Sequence, residues 1–345
     1  MQNNNDLLIQ VNDLKTYFFL DEGIVKAVDG VDMEIKTGKT LGVVGESGCG
    51  KSITARSIMR IVAKGGKIVN GEILFHRKLS DDSNGERIEI MDLAKLDAQS
   101  EAMRSIRGGE ISMVFQEPMT SLSPVHTIGN QIEEVISLHQ KLDAKEAREK
   151  AIESLDQVGM PLPKRTIERY PHELSGGMRQ RAMIAMALSC HPSMLIADEP
   201  TTALDVTTEA QILTLMRSLQ DELGMSIMFI THNLGVIAQM ADQVAVMYLG
   251  KVVEEASVEE IFYNPLHPYT QALLKSIPRL GAKKARSFRL ASIVGSVPDP
   301  YNLPTGCPFH PRCAKRIQNV CEKEVPSVTE VGTGHKVRCF LYNTQ

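Results

Sequence analysis

Three short stretches carry side chains whose type and spacing suit phosphate chemistry. Gly45-Glu46-Ser47-Gly48-Cys49-Gly50-Lys51-Ser52 fits the pattern GxxxxGK[ST] in full. Its glycines let backbone N–H groups converge on phosphate oxygens, and a following helix would present its positive end to the same anion. Lys51 adds a point charge for β- and γ-phosphates, and the Ser52 hydroxyl is a ligand for Mg²⁺. In Ser193-Met194-Leu195-Ile196-Ala197-Asp198-Glu199-Pro200 an apolar run ends in two carboxylates. Asp198 would hold the Mg²⁺ shell, and Glu199 could polarise a water for in-line attack on a γ-phosphate. Alone, Asp-Glu-Pro often marks nothing more than a strand ending in a solvated turn; a phosphate loop upstream changes that reading. In Leu174-Ser175-Gly176-Gly177-Met178-Arg179-Gln180-Arg181, Ser175 is placed as an N-cap. Gly176 and Gly177 leave backbone amides bare at the helix start, a second anion site that the first does not need for itself.

Positioning these groups takes strands and helices in alternation. Leu7-Leu8-Ile9-Gln10-Val11 and Val25-Lys26-Ala27-Val28 read as antiparallel strands. Thr40-Leu41-Gly42-Val43-Val44 is a short apolar strand running into the phosphate loop, with a helix over 53–62 after it. Residues 71–93 read as strands broken by a polar loop at 79–85, and 129–170 turn helical and charged. Then come a helix over 178–189, a strand over 194–197, a helix over 208–223 and a strand over 226–230. The pattern predicts an α/β fold with a mainly parallel sheet covered on both faces.

The order of these motifs resembles that of the ABC transporter ATPases. Around "LSGGM" and "LIADEP" stand Gln116 in "VFQEP", the "ALD" loop Ala203-Leu204-Asp205 and His232 in "ITHN". The resemblance implies an ABC-type nucleotide-binding domain: a mixed, largely parallel core, an antiparallel β subdomain and a helical subdomain at about 125–175. It implies that the ATP contacts come from Gly45 to Ile53 without a break, with Asp198 and Gln116, and that Ser52 and Gln116 serve Mg²⁺. Tyr17 is similar to the aromatic that stacks on adenine, although it also reads as a core residue, with Phe18 and Phe19 as competitors. His232 resembles the residue that contacts the γ-phosphate, and Glu199 and His232 form the catalytic pair. Ser175, Gly176, Gly177 and Asp205 would touch the ATP of a second, identical or related ATPase subunit facing this one head to tail. Met178 departs from the family, where glutamine is common, and leaves the serine and both glycines intact.

Beyond residue 263 the texture changes to proline-punctuated sequence with a basic stretch, Lys283-Lys284-Ala285-Arg286, read as a solvated linker. The chain divides on this reading into an ATPase domain at 1–263 and an extension at 264–345. "NPLHPYTQALLKSIPRL" and "GCPFHPRC" resemble the dipeptide and oligopeptide importer branch. That branch implies two permease subunits, a peptide-binding protein outside the membrane and a place on the membrane's cytoplasmic face. Cys307, Cys313, Cys321 and Cys339 crowd together with the spacing C-x5-C-x7-C-x17-C. In a reducing compartment such a group suits a metal or cluster better than disulfides. Members with these cysteines are associated with a [4Fe–4S] cluster, which four thiolates suit. Zinc, with His310 and His335 as spare ligands, and free thiols stay open as alternatives. Cys49 and Cys190 stand apart.

Bulk properties exclude other classes. At 345 residues, 43% hydrophobic and 23% charged, the chain can bury a large core, and length suggests about two domains. A net charge of -4 gives no support to a nucleic-acid partner. No apolar run nears the roughly 20 residues that span a bilayer, and Met1-Gln2-Asn3-Asn4-Asn5-Asp6 lacks the features of a signal peptide. Any membrane contact is therefore expected to be peripheral. A soluble ABC ATPase of DNA repair or translation would need a coiled-coil insertion or a second ATPase domain, and a degenerate sensor would lack catalytic positions. Import of nickel or another small solute is the alternative within the transporter class, because an ATPase does not touch the cargo.

Overall fold

The computed structural model describes residues 6–81, 85–117, 121–202, 204–276 and 293–343. Ala203 and the basic stretch at 283–286 lie outside them. The strands are β1 (Leu7–Leu20), β2 (Gly23–Lys36), β3 (Thr40–Val44), β4 (Gly66–Asp81), β5 (Gly85–Asp92), β6 (Ile111–Val114), β7 (Met194–Asp198), β8 (Ser226–Ile230), β9 (Gln243–Tyr248), β10 (Lys251–Ser257), β11 (Thr329–Glu330) and β12 (Lys336–Val337). One sheet is antiparallel, in the order β2-β1-β4-β5; the other is mixed, in the order β11-β12-β10-β9-β3-β8-β7-β6. Within the second, β9, β3, β8, β7 and β6 are mutually parallel.

The parallel strands are short, mostly apolar and almost wholly buried because both of their faces are covered. Alternate side chains serve different cores: Leu195, Ala197, Ile227 and Phe229 join one, and Met194, Ile196, Met228 and Ile230 join the other. The second core also takes Val11, Leu14, Ile35 and Phe75, so the antiparallel sheet lies over that face.

The helices are α1 (Lys51–Ile58), α2 (Glu101–Ile106), α3 (Ile128–His139), α4 (Ala144–Gln157), α5 (Pro163–Thr166), α6 (Gly176–Leu188), α7 (Val206–Leu223), α8 (Leu234–Met240), α9 (Val258–Tyr263) and α10 (Pro268–Lys275). The sequence predicts α1 as far as residue 62, but the helix stops at Ile58. Arg60 adopts a left-handed φ of 56°, which the helix cannot continue through. The predicted break at 79–85 is also narrower than expected, since β4 runs to Asp81 and β5 resumes at Gly85. Among the described residues no helix is long and apolar enough to cross a membrane.

Residues 293–343 are mostly irregular, yet they are built into the main body. Val337 and Lys336 of β12 pair with Glu254 and Glu255 of β10. Cys307, Phe309 and Cys321 join the first core directly.

Candidate functional site

The strand β3 delivers the chain into the phosphate loop, and α1 leads it away. Gly50 sits before α1 with φ of 101°, and a Cβ there would come within 2.3 Å of the Ala27 carbonyl oxygen. A Cβ on Gly45 would lie 2.2 Å from the Met247 oxygen. Only glycine lets the loop run this close to neighbouring backbone. Lys51 is 6% exposed, and its Nζ donates to the carbonyls of Gly45 at 2.9 Å and Glu46 at 3.2 Å. Residues 46–52 wall a cavity of about 780 Å³ that also touches Ala27, Ile53, Gln116, Glu199, Thr202, His232 and Val297.

Glu199 reaches this cavity because β7 ends beside it, whereas Asp198, one residue earlier, is buried and does not line the wall. Ser52 Oγ donates to Asp198 Oδ1 at 2.8 Å. Burial pushes the Asp198 carboxyl above its ordinary range, although the Ser52 hydrogen bond and the Arg56 charge oppose it. A buried carboxylate with that balance favours a nearby cation. Ser52 and Asp198 thus set two oxygen donors side by side, the ligand type that fits Mg²⁺.

Glu199 lies at φ of 48°, a left-handed conformation that costs a non-glycine residue about 1–3 kcal/mol. Its own N–H donates to the Ile230 carbonyl at 2.9 Å. His232 Nδ1 is 3.0 Å from one carboxylate oxygen, and the other accepts from Thr202 Oγ1 at 3.0 Å and Gln116 Nε2 at 3.1 Å. Burial raises the Glu199 carboxyl, but the bonds from His232 and Thr202, aided by Lys51, outweigh it and hold the group below its ordinary value. The carboxylate is thus kept ionised and held in one orientation by three side chains.

Other expected residues stand outside the cavity. Ser175 caps α6, as its sequence position predicts, accepting from Met178 N at 3.3 Å. Asp205 caps α7 through Thr207 N and Thr208 N. Ser175, Gly176, Gly177 and Asp205 do not line the cavity of their own chain. Neither does Tyr17: its hydroxyl donates to Asp29 at 2.6 Å, and the Lys26 ammonium lies 5.7 Å from its ring centroid. Sequence reasoning missed Thr202 and Val297. Thr202 was open to discovery, since it follows Glu199 by three residues in the same turn; nothing in the sequence places Val297.

Residues 28–202 match the family profile described as "ABC transporter", and residues 253–321 match "Oligopeptide/dipeptide transporter, C-terminal region". The chain belongs to the ABC transporter ATPase family. It is 50% identical over 339 residues to the oligopeptide transport ATP-binding protein AppD of Bacillus subtilis, covering 98% of each chain. With the dipeptide transport ATP-binding protein DppD of the same organism it shares 46% identity, over 97% of this chain and 94% of the relative. The dimeric structure of MJ0796, titled a bacterial ABC transporter cassette, superposes with a TM-score of 0.61 at 27% identity, over 73% of this chain and 99% of that one.

The cassette's four C-terminal cysteines are brought together. Burial pushes the Cys307 thiol up to about 11; the Phe309 amide opposes the shift, and the sulfurs of Cys321, Cys339 and Cys313 add to it. Cys321 Sγ accepts the Ile317 backbone N–H at 3.3 Å, and the backbone amides of Phe309, Lys315 and Leu341 partly offset the upward push of burial on the Cys307, Cys313 and Cys339 thiols. Among the described residues no group of three or more His, Cys, Asp or Glu side chains is arranged so that it could hold a metal ion. His335 is committed elsewhere, its Nε2 lying 2.8 Å from the buried Glu254 carboxylate, and His310 Nδ1 is 3.0 Å from the Cys307 carbonyl. Burial pushes the thiols of Cys49 and Cys190 up as well.

The closeness of Gly50 to Ala27 yields a test. Gly50→Ala should weaken binding of a fluorescent ATP analogue by at least about tenfold, because strain and a backbone clash both distort the loop. Wild-type affinity in that variant would mean that the loop does not hold the phosphates.

Proposed function

We propose that this chain is the ATP-hydrolysing subunit of an importer for di- or oligopeptides. One observation carries the catalytic part of this reading: Glu199 is held ionised by three side chains at the mouth of the cavity that contains Lys51. The loop from Gly45 to Ile53 would bind the triphosphate, with Lys51 on its β- and γ-phosphates. Ser52, Asp198 and Gln116 would hold Mg²⁺, whose charge offsets that of the phosphate oxygens. Glu199 would take a proton from the attacking water, and His232 would orient that water and the γ-phosphate. For Tyr17 we retain the role of adenine platform, reached once a base enters beside Ala27 and Ile53.

The peptide cargo rests on the matched C-terminal region and on full-length relatives named for oligopeptide and dipeptide transport. The partners on this reading are a second ATPase subunit, two permeases and, indirectly, an external peptide-binding protein, with the chain peripheral on the cytoplasmic face. Ser175, Gly176, Gly177 and Asp205 would close on the partner's ATP, so nucleotide favours the closed dimer that binds it better. We take residues 1–263 as the ATPase domain and 264–345 as an extension whose Cys307, Cys313, Cys321 and Cys339 ligate a [4Fe–4S] cluster. Four gathered sulfurs with backbone amides directed at them support that assignment, since such groups tune cluster thiolates. Zinc, the alternative, would take the same four thiolates in a closed tetrahedral site.

Two tests follow. Glu199→Gln should still bind ATP and accumulate as a nucleotide-bound dimer in light scattering, with turnover reduced on the order of a hundredfold or more; near-normal hydrolysis would remove Glu199 from the base role. Protein purified without oxygen should be brown, with broad visible absorption and about four irons per chain. A colourless sample carrying stoichiometric zinc would end the cluster assignment.

A further inference from the structure

The phosphate loop is tethered to the far end of the chain. Arg312 lies on the turn between Cys307 and Cys313, and its guanidinium donates to both oxygens of the Glu46 carboxylate, at 2.6 and 3.1 Å. The Arg312 side chain is 4% exposed and that of Glu46 25%. The same guanidinium donates through Nε to the Val294 carbonyl at 3.2 Å and stands 5.9 Å from the Tyr248 ring centroid. Three residues beyond Val294, Val297 reaches the wall of the nucleotide cavity.

A second link runs alongside. Phe309 meets the Tyr248 ring edge-on at 5.3 Å and packs at the same distance against Tyr269. The Tyr269 hydroxyl accepts the Glu46 backbone N–H at 2.9 Å. Both the main chain and the carboxylate of Glu46 are therefore fixed by residues more than two hundred positions downstream.

The charge balance gives this tether a consequence. Glu46 is an anion built into a loop that must receive an anion, and like charges at such range repel. A two-point guanidinium fork neutralises the carboxylate and fixes its direction, which an ammonium does less well. We propose that Arg312 is a positioning residue for nucleotide binding: acting through Glu46, it silences the loop's own negative charge and sets the loop, so that affinity for ATP depends on the cysteine-bearing segment. The proposal rests on the reading of the cavity as the ATP site.

The experiment measures binding of a fluorescent ATP analogue with Mg²⁺, and steady-state hydrolysis, in the full chain. Lys51→Ala is the control for the site itself: unaltered binding in that variant would sink the ATP-site reading whatever Arg312 does. With that control lost as expected, Arg312→Ala should raise Kd and KM about tenfold and leave kcat within about twofold. Adding Glu46→Gln to Arg312→Ala should recover most of the lost affinity, because the unpaired anion is gone. A role confined to packing would not be relieved by that second change. Should Arg312→Ala fail to fold, Arg312→Lys and Arg312→Gln decide, with the lysine variant binding more tightly than the glutamine one. Wild-type affinity in Arg312→Ala, no recovery on adding Glu46→Gln, or equal affinity in the lysine and glutamine variants would overturn the proposal.

Discussion

Lys51 carries its charge into the protein with two carbonyls and a thiol of its own loop as hydrogen-bond partners. A buried cation without a tightly paired anion is costly, and the cost falls when an anion arrives. Everything around the loop can be understood as holding that cation in place. The glycines admit the loop to within van der Waals contact of the Ala27 and Met247 backbone. The parallel strands β3, β7 and β8 bring Lys51, Asp198 and His232 to the same edge, where open α/β sheets bind their ligands.

The site balances two carboxylates against that cation in different ways. Asp198, 2% exposed, is raised by burial and so suits a metal ion beside it. Glu199, one residue later, is turned outward by its left-handed backbone and lowered by His232 and Thr202. Adjacent residues thus receive opposite shifts in proton affinity from their surroundings. An ABC ATPase gains its working stroke when nucleotide stabilises one assembly over another.

Much of this was legible in the sequence because the relevant chemistry is local. The phosphate loop, the cap at Ser175 and the apolar strands ending at Asp198 and Ile230 are each written in fewer than ten consecutive residues. The antiparallel strands near the start were legible from alternation, and the ABC family from the order of the motifs. What escaped was non-local or set by backbone sterics. Arg312 reaches Glu46 across 266 positions, and β12 joins the sheet through only two residues. The early end of α1 comes from a left-handed Arg60, which no periodicity announces. Tyr17 shows the limit of motif reasoning: an aromatic in the expected strand spends its hydroxyl on Asp29 and stands outside the cavity wall.

The central claim is that Lys51's charge waits for a triphosphate. A crystal structure of the full chain with a non-hydrolysable ATP analogue and Mg²⁺ tests it most directly. The account predicts that Lys51 Nζ leaves the carbonyls of Gly45 and Glu46 and lies against the β- and γ-phosphate oxygens, with Ser52 and Asp198 on the metal side. Nucleotide bound elsewhere, with the Lys51 ammonium still on those two carbonyls, would contradict it.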